Sequence, residues 1–197
     1  MNKAVFLDKD GTLVPDIPYN VQPQLITLEK GVTEGLQLLA RNGYLLVIIS
    51  NQSGVARGYF QEADLQPVKE KIIALLRQEG IPLHGLYYCP HHPEGSVEPY
   101  ARECNCRKPA PGLILRAAAE LQIDLSASWM VGDILHDVEA GNRAGCRTVL
   151  INNGNETEWV SGVYRKPYFV AADVREAAAL LCMDSPAKPE PHEKKLV

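Results

Sequence analysis

The sequence has no long apolar run, no excess of basic residues and no regular cysteine pattern. The longest apolar runs among the 197 residues have the length of a strand, which is too short to cross a membrane. A net charge of −4 gives no general attraction to nucleic acid or anionic lipid, and no basic stripe interleaved with aromatic residues is present. We therefore expect neither a nucleic acid nor a membrane as partner.

The five cysteines are odd in number and unevenly spaced, which is not typical of a secreted disulfide framework. The chain enters an apolar strand pattern almost at once, without the apolar core of a signal peptide. Both observations predict a cytoplasmic protein. The length suits one domain with a full core, and we expect that domain to be a monomer.

Short apolar runs alternate with segments of helical periodicity. This rhythm predicts an α/β fold with a doubly wound parallel sheet in a single domain over residues 1–183, followed by a disordered tail over 184–197. The predicted strands are 4–7, 44–51, 85–89, 129–132, 148–151 and 168–170, and the predicted helices are 32–39, 65–76, 113–121, 135–144 and 174–181.

Polar side chains follow three of the predicted strands where each strand ends. Asp8 and Asp10 follow the first strand, Ser50 lies at the end of the second, and Asp133 follows a later one. The carboxyl ends of parallel strands meet at one edge of the sheet, where ligands bind. Paired carboxylates there need a cation or a proton. An isolated D-x-D-G stretch could equally be a solvated turn, and only the later segments favour a site.

An irregular segment between residues 90 and 107 is longer than a simple connection between two elements needs to be, which indicates a function for it. With the residue before it, this segment supplies three cysteines and a histidine pair, which suffice for a tetrahedral Zn²⁺ site of the Cys₃His type. The alternative is three buried free thiols beside a surface histidine pair. The candidate ligands are Cys89, His91 or His92, Cys104 and Cys106.

The order of these motifs resembles the haloacid dehalogenase (HAD) superfamily of phosphatases. The order is D-x-D-G-T at 8–12, then Ser50, then Lys108, then G-D-x-x-x-D at 132–137. The resemblance implies that Asp8 is the nucleophile, that Asp10 is the general acid and base, and that Ser50 and Lys108 stabilise the phosphoryl group. It also implies a catalytic Mg²⁺ held by the Asp8 and Asp133 side chains and the Asp10 backbone carbonyl.

Two further predictions concern segments beside these motifs. The connection after the first strand is short, which predicts a capless active site. Asp137 either orients the metal site from behind or caps a short helix, and the sequence favours neither.

A closer resemblance rests on N-Q-S-G-V-A-R-G at 51–58, on C-R-K-P at 106–109 and on the cysteine-rich loop. These segments resemble the D-glycero-D-manno-heptose-1,7-bisphosphate 7-phosphatases. That resemblance implies removal of the C7 phosphate of a sugar bisphosphate, during synthesis of nucleotide-activated heptose for lipopolysaccharide core or related glycans. It also implies His91 as the histidine ligand of a structural Zn²⁺. The implied substrate contacts are Asp16, Tyr19, Ser50, Asn51, Gln52, Ser53, Arg107 and Lys108.

Other functions stay open at this point. Histidinol-phosphatases share D-x-D-G-T, the cysteine-rich loop and C-R-K-P, so histidinol phosphate is an alternative substrate. A 3′-phosphorylated nucleic acid is a second alternative, although the acidic balance is unfavourable. A non-catalytic, zinc-stiffened module that binds sugar phosphates is a third, although every expected catalytic residue is present.

Overall fold

The computed structural model describes residues 1–184, which form a six-stranded parallel sheet with helices on both faces. The strand order is β3-β2-β1-β4-β5-β6. The elements in chain order are β1 (Lys3–Leu7), α1 (Val32–Arg41), β2 (Tyr44–Asn51), α2 (Gly54–Arg57), α3 (Leu65–Gln78), β3 (Gly85–Cys89), α4 (Gly112–Leu121), β4 (Trp129–Gly132), α5 (Leu135–Ala144), β5 (Arg147–Ile151), β6 (Phe169–Ala171) and α6 (Val174–Asp184).

Alternate residues of β1 enter two different cores. Val5 and Leu7 pack with apolar residues of α1, α3 and α6 on one face. Ala4 and Phe6 pack with residues of α4 and α5 on the other. Because the sheet is buried on both faces, its strands read as continuous apolar runs, and this explains why they could be located from the sequence. The predicted doubly wound sheet is confirmed.

The strand order places the switch point of the sheet between β1 and β4. The chain moves outward from β1 through β2 to β3, then returns to β4 on the other side of β1. The Asp8 amide donates a hydrogen bond to the Val131 carbonyl at 2.9 Å, which ties the first residue after β1 to β4. The segment between β1 and α1 contains a single short 3₁₀ helix, Pro23–Leu25, as expected for an active site without a cap.

The differences from the predicted elements are small. The last strand is Phe169–Ala171 rather than 168–170, and α6 continues to Asp184, the first residue of the predicted tail. Residues 185–197 of that tail lie outside the described residues. The four-residue helix α2 was not predicted, because four residues are too few to show a helical period. Within residues 1–184, no helix has both the length and the apolar character needed to cross a membrane.

Candidate active site

Three carboxylates meet at the switch point. Asp8 follows β1, Asp133 follows β4, and Asp137 lies in the first turn of α5. One oxygen from each lies within 4.8 Å of the others, and all three residues are buried. We call these residues the acidic cluster. Carboxylates that are buried this close together require positive charge to stay ionised.

The Lys108 side chain supplies part of that charge. Its ammonium group pairs with Asp8 Oδ1, pairs with Asp137 Oδ1 at 2.6 Å and donates to the Ile49 carbonyl at 2.9 Å. Burial alone would lower the pKa of Lys108, but the charges of Asp137 and Asp8 raise it above its usual value. One ammonium group therefore stays charged beside three carboxylates.

Asp133 is fixed by two neighbours. Thr12 Oγ1 donates to Asp133 Oδ1 at 3.1 Å, and Asn155 Nδ2 donates to Asp133 Oδ2 at 2.7 Å. Burial, followed by the charges of Asp8 and Asp137, raises the pKa of Asp133 to about 7. Gly11 approaches the same carboxylate with φ +81°, and a Cβ there would lie 2.1 Å from Asp133 Oδ2. Only glycine fits at position 11.

Asp137 caps a helix, which is one of the two roles that the sequence left open, and it also pairs with Lys108. Its Oδ2 accepts a hydrogen bond from the Ile134 amide at 3.2 Å, which caps the amino terminus of α5. Its Oδ1 faces Lys108. Burial raises the pKa of Asp137 to about 6, although Lys108 acts in the opposite direction.

Asp10 lies beside the acidic cluster and has partners of its own. Lys9 Nζ pairs with Asp10 Oδ1 at 2.7 Å, and Gln52 Nε2 donates to Asp10 Oδ2 at 3.0 Å. The same Gln52 amide donates to Ser50 Oγ at 2.8 Å. Burial raises the pKa of Asp10, with Lys9 acting against it. The structure therefore brings Asp10, Gln52 and Ser50 together.

Most of the predicted substrate contacts surround one cavity of about 280 Å³ beside Asp10. Tyr19 lies on its rim with φ +54°, and its ring packs edge-on against Tyr59 with 4.5 Å between centroids. The predicted residues that line this cavity are Asp10, Asp16, Tyr19, Asn51, Gln52 and Ser53.

Two predicted substrate contacts, Asn51 at the cavity and Arg107 outside its lining, have further features. The Asn51 side chain is held by the backbone of Lys108: its Oδ1 accepts from the Lys108 amide at 3.0 Å, and its Nδ2 donates to the Lys108 carbonyl at 3.0 Å. Arg107 is half-buried, and its Nη1 is buried without a hydrogen-bond partner among the residues described. Burial lowers the pKa of Arg107.

The second group of candidate ligands also comes together. We call Cys89, His91, Cys104 and Cys106 the Cys/His cluster; their ligand atoms lie within 4.8 Å of one another. The Sγ–Sγ distances are 3.1, 3.2 and 3.5 Å, and His91 Nδ1 lies 3.3 Å from Cys106 Sγ and 3.6 Å from Cys89 Sγ. His92 instead faces Arg57, with 3.1 Å between His92 Nε2 and Arg57 Nη2.

The loop that carries the Cys/His cluster is fastened to α2. The amides of Ser96 and Val97 both donate to the Ala56 carbonyl, at 2.8 and 3.0 Å. A Cβ at Gly95 would lie 2.7 Å from that carbonyl oxygen, so the close approach requires glycine. Tyr100 adds a side-chain contact by donating to Glu62 at 2.6 Å. The loop is therefore held against α2, which follows the cavity residues Asn51–Ser53 in the chain.

Sequence reasoning missed Lys9 and Asn155 as members of the site. Lys9 stands between two aspartates and reads as an ordinary polar residue. Asn155 follows β5 at the same sheet edge as the other site residues, so the strand-end rule that indicated Asp133 also covers it. Asn153 belongs to the same loop and donates to the Gly11 carbonyl at 2.7 Å.

Comparison with known proteins shows several close similarities. A family model described as HAD-hydrolase-like matches residues 105–177. The chain is 47% identical to a D-glycero-beta-D-manno-heptose-1,7-bisphosphate 7-phosphatase of Pasteurella multocida (strain Pm70) over 155 residues, which are 78% of this chain and 84% of that protein.

Solved structures agree with this similarity. A HAD-like phosphatase from Mesorhizobium loti has a TM-score of 0.80 and 34% identity, covering 92% of this chain and 85% of the other. A D,D-heptose 1,7-bisphosphate phosphatase from B. bronchiseptica, complexed with magnesium and phosphate, has a TM-score of 0.75 and 28% identity, covering 93% and 99%.

Proposed function

Because the chain belongs to the D-glycero-beta-D-manno-heptose-1,7-bisphosphate 7-phosphatase family of HAD-like hydrolases, we propose that it removes the C7 phosphate of this sugar bisphosphate. The observation that carries the proposal is the meeting of Asp8, Lys108 and Asp133 at the switch point, beside a cavity lined by the predicted substrate contacts. The reaction belongs to the synthesis of nucleotide-activated heptose.

In this proposal Asp8 attacks the phosphorus atom, and the bond to the sugar oxygen breaks. The product is an aspartyl-phosphate, which divides one difficult hydrolysis into two easier steps. Asp10 protonates the departing sugar oxygen and then takes a proton from the water that hydrolyses the intermediate. Ser50 and the Lys108 ammonium bind oxygens of the transferring phosphoryl group, where negative charge accumulates in the transition state.

The acidic cluster suits a magnesium ion. Three buried carboxylates share one ammonium group, and the pKa of Asp133 is raised to about 7 partly because Asp8 and Asp137 are unbalanced negative charges. Mg²⁺ prefers a few carboxylate and carbonyl oxygens together with water and phosphate. We propose Asp8, Asp133 and the Asp10 carbonyl as its protein ligands. When bound, the ion screens the repulsion between the nucleophile and the phosphate.

The Cys/His cluster suits a structural zinc ion. Around a tetrahedral Zn²⁺ with Zn–S bonds of about 2.3 Å, neighbouring donors lie roughly 3.5–3.8 Å apart. The separations in this cluster, between 3.1 and 3.6 Å, are close to that spacing. Four protein donors leave no open position for water, so the proposed role of zinc is to hold the loop rather than to take part in the reaction.

The substrate is recognised, in this proposal, by loops rather than by a cap. The unpartnered Nη1 of Arg107 can hold the phosphate that does not react, because a guanidinium group matches phosphate geometry. Asp16, Tyr19, Gln52 and Ser53 face the sugar. Asn51 contributes to the site by holding Lys108 in place, because both polar atoms of the Asn51 side chain are hydrogen-bonded to the Lys108 backbone.

The remaining sequence predictions concern the cellular compartment, the oligomeric state and the partners of the protein. None of the five cysteines forms a disulfide within residues 1–184, which suits a reducing compartment such as the cytoplasm. A monomeric state and the absence of macromolecular partners stay predictions.

A side-by-side assay tests the substrate. We expect the purified enzyme with Mg²⁺ to have the highest kcat/KM for D-glycero-D-manno-heptose 1,7-bisphosphate, measured as phosphate release. Histidinol phosphate and a 3′-phosphorylated oligonucleotide are the comparisons. A higher kcat/KM for either of these would overturn the heptose assignment while leaving the phosphatase chemistry intact.

A further inference from the structure

Lys9 carries a buried ammonium group next to the proposed acid and base. The residue is 4% exposed, although lysine is almost never fully buried without a partner. Its Nζ pairs with Asp10 Oδ1 at 2.7 Å. Burying this ammonium group costs solvation energy, whereas a lysine in an ordinary surface turn would remain in contact with water.

The two donors to Asp10, Lys9 and Gln52, lie in different surroundings. The cavity of about 280 Å³ is lined by Asp10 and the predicted sugar contacts, but not by Lys9. Lys9 lines a second cavity of about 350 Å³, beneath α3, together with Ser50 and Leu65. Gln52 lines both cavities. Lys9 therefore reaches Asp10 from the cavity beneath α3.

Both oxygens of Asp10 are engaged by side chains of the protein. Lys9 takes Oδ1, and the Gln52 amide takes Oδ2. The Asp10 side chain remains 30% exposed towards the open cavity. An aspartate side chain has two rotatable bonds, and two donors at fixed positions select one orientation of its carboxyl group.

We propose that Lys9 and Gln52 are positioning residues that hold the Asp10 carboxyl group in line with the sugar oxygen leaving the phosphate. This inference rests on the proposed function, since it assigns how one step of that reaction is prepared. The Gln52 amide donates to Ser50 as well as to Asp10. Since Ser50 binds the phosphoryl oxygens in the proposed reaction, this one amide fixes the position of Asp10 relative to them. Misplacing a catalytic group by about 1 Å can cost on the order of 10²-fold in rate.

The test uses two substrates with the same phosphoryl group and different leaving groups. A sugar oxygen must be protonated as it leaves, whereas p-nitrophenolate is stable as an anion and needs no acid. The ratio kcat/KM covers the steps through departure of the leaving group, so the later hydrolysis by Asp10 does not enter. The readout is therefore kcat/KM for the heptose bisphosphate and for p-nitrophenyl phosphate.

Lys9→Met keeps most of the length of the side chain and removes the ammonium group. We expect kcat/KM for the bisphosphate to fall on the order of 10²-fold, and kcat/KM for p-nitrophenyl phosphate to fall only a few-fold. In Lys9→Met/Asp10→Asn, the loss should equal that of Asp10→Asn alone, because the lysine has nothing left to position. Lys9→Arg should recover part of the bisphosphate activity.

The matched control is Lys69→Met. Lys69 lines the same cavity as Lys9 from α3, outside the catalytic residues, and should leave both activities unchanged. If Lys9→Met does not fold, as judged by its melting curve, Lys9→Gln takes its place with the same expected dependence on the leaving group. Gln52→Met should show this dependence too, with an added loss on both substrates through Ser50. Because Gln52 also faces the sugar, the positioning role is judged on the Lys9 variants.

Equal losses on the two substrates, or losses that add in the double variant, would overturn the positioning role. These outcomes are separable from failure of the proposed function. An enzyme that ignores the bisphosphate but hydrolyses histidinol phosphate refutes the substrate, and the same comparison then proceeds with histidinol phosphate as the alkyl ester.

Discussion

The acidic cluster and the Cys/His cluster lie at the same edge of the sheet but are built in different ways. The carboxylates come from three distant segments, and each follows or caps an element of the sheet scaffold. The Cys/His ligands come from one stretch of chain. Cys106 is 17 positions after Cys89, and there is no helix or strand between residues 90 and 111. The fold places the first cluster, whereas the second cluster must help to shape its own loop.

This difference separates two consequences of losing a ligand. Replacing an acidic residue should leave the fold in place and remove the chemistry. Replacing a cysteine should release the loop and reduce activity indirectly, since Cys106 is followed by Arg107 and Lys108. Stability and activity measured together on variants of both clusters therefore test the comparison.

The largest effect on activity is expected for Asp8→Asn. An amide is a poor nucleophile and a poor metal ligand, so phosphate release should fall by at least about 10⁴-fold. The melting temperature should not fall, because the substitution removes one buried negative charge. Turnover near the native rate would exclude the aspartyl-phosphate, and a large drop in melting temperature would contradict placement by the fold.

Cys104→Ser should have the largest effect on stability. We expect bound zinc, measured by elemental analysis, to fall from about one per chain to near zero. The melting temperature should fall by about 4 °C or more, which is roughly 2 kcal/mol for a chain of this size. Activity should drop about 10–100-fold through the loop.

Cys182→Ser is the matched control for the cysteine variant, because Cys182 is half-buried in α6, away from the loop. Its zinc content and activity should match those of the unaltered protein. Unchanged zinc content and stability in Cys104→Ser would show that the Cys/His cluster is not a zinc site.

Arg107→Ala probes the residue that links the two clusters. Loss of charge-assisted hydrogen bonds to the unreacting phosphate should lower kcat/KM for the heptose bisphosphate by roughly 10–100-fold. A much smaller loss is expected for p-nitrophenyl phosphate, which lacks a second phosphate. Lys108→Ala should impair both substrates. Equal losses for Arg107→Ala on the two substrates would remove its role as a clamp for the second phosphate.

The smallest effect is a pH dependence of stability in the acidic cluster. The pKa of Asp133 is about 7 in the folded protein and 3.8 by default, so the folded state binds the extra proton between these values. Without Mg²⁺, stability should therefore fall as the pH rises from about 4 to 7, and the raised pKa of Asp137 acts in the same direction.

Mg²⁺ favours the ionised carboxylates, so its stabilising effect should grow through the same pH range. We expect shifts of a few degrees in melting curves recorded with and without Mg²⁺. Asp133→Asn should lose most of the pH dependence and of the response to Mg²⁺. A response to Mg²⁺ that is independent of pH and survives in Asp133→Asn would place the ion elsewhere.

The sequence predicted those parts of the site that are marked by local pattern. Asp8 and Asp133 follow apolar runs, so their meeting at one sheet edge follows from parallel strands alone. The Cys/His ligands are close in sequence, and their residue types already indicate zinc. In both cases the pattern that reveals the residue lies within a few positions of it in the sequence, and the same local segment places it in the structure.

The parts that were not predicted depend on pairings between distant segments. Asn51 binds the Lys108 backbone 57 positions away, and nothing in N-Q-S-G distinguishes that task from a substrate contact. Asn155 reaches Asp133 only because the loop after β5 returns over the sheet edge. The burial of Lys9 likewise depends on distant segments, because Lys9 lines a cavity together with Ser50 and Leu65.

The hydrogen bonds of Asn51 bear on how this family of loops can change over evolution. Cys89 pairs with Asn51 in the sheet, and Lys108 is bound by the Asn51 side chain, so the excursion from 89 to 108 leaves and returns at one residue. Doubling the length of a loop with fixed ends costs only about 0.6 kcal/mol in closure entropy. Insertions between His92 and Cys104 can therefore change the shape of the loop while Lys108 stays aligned with Asp8, which makes this excursion a place where the chain can grow without rebuilding the catalytic centre.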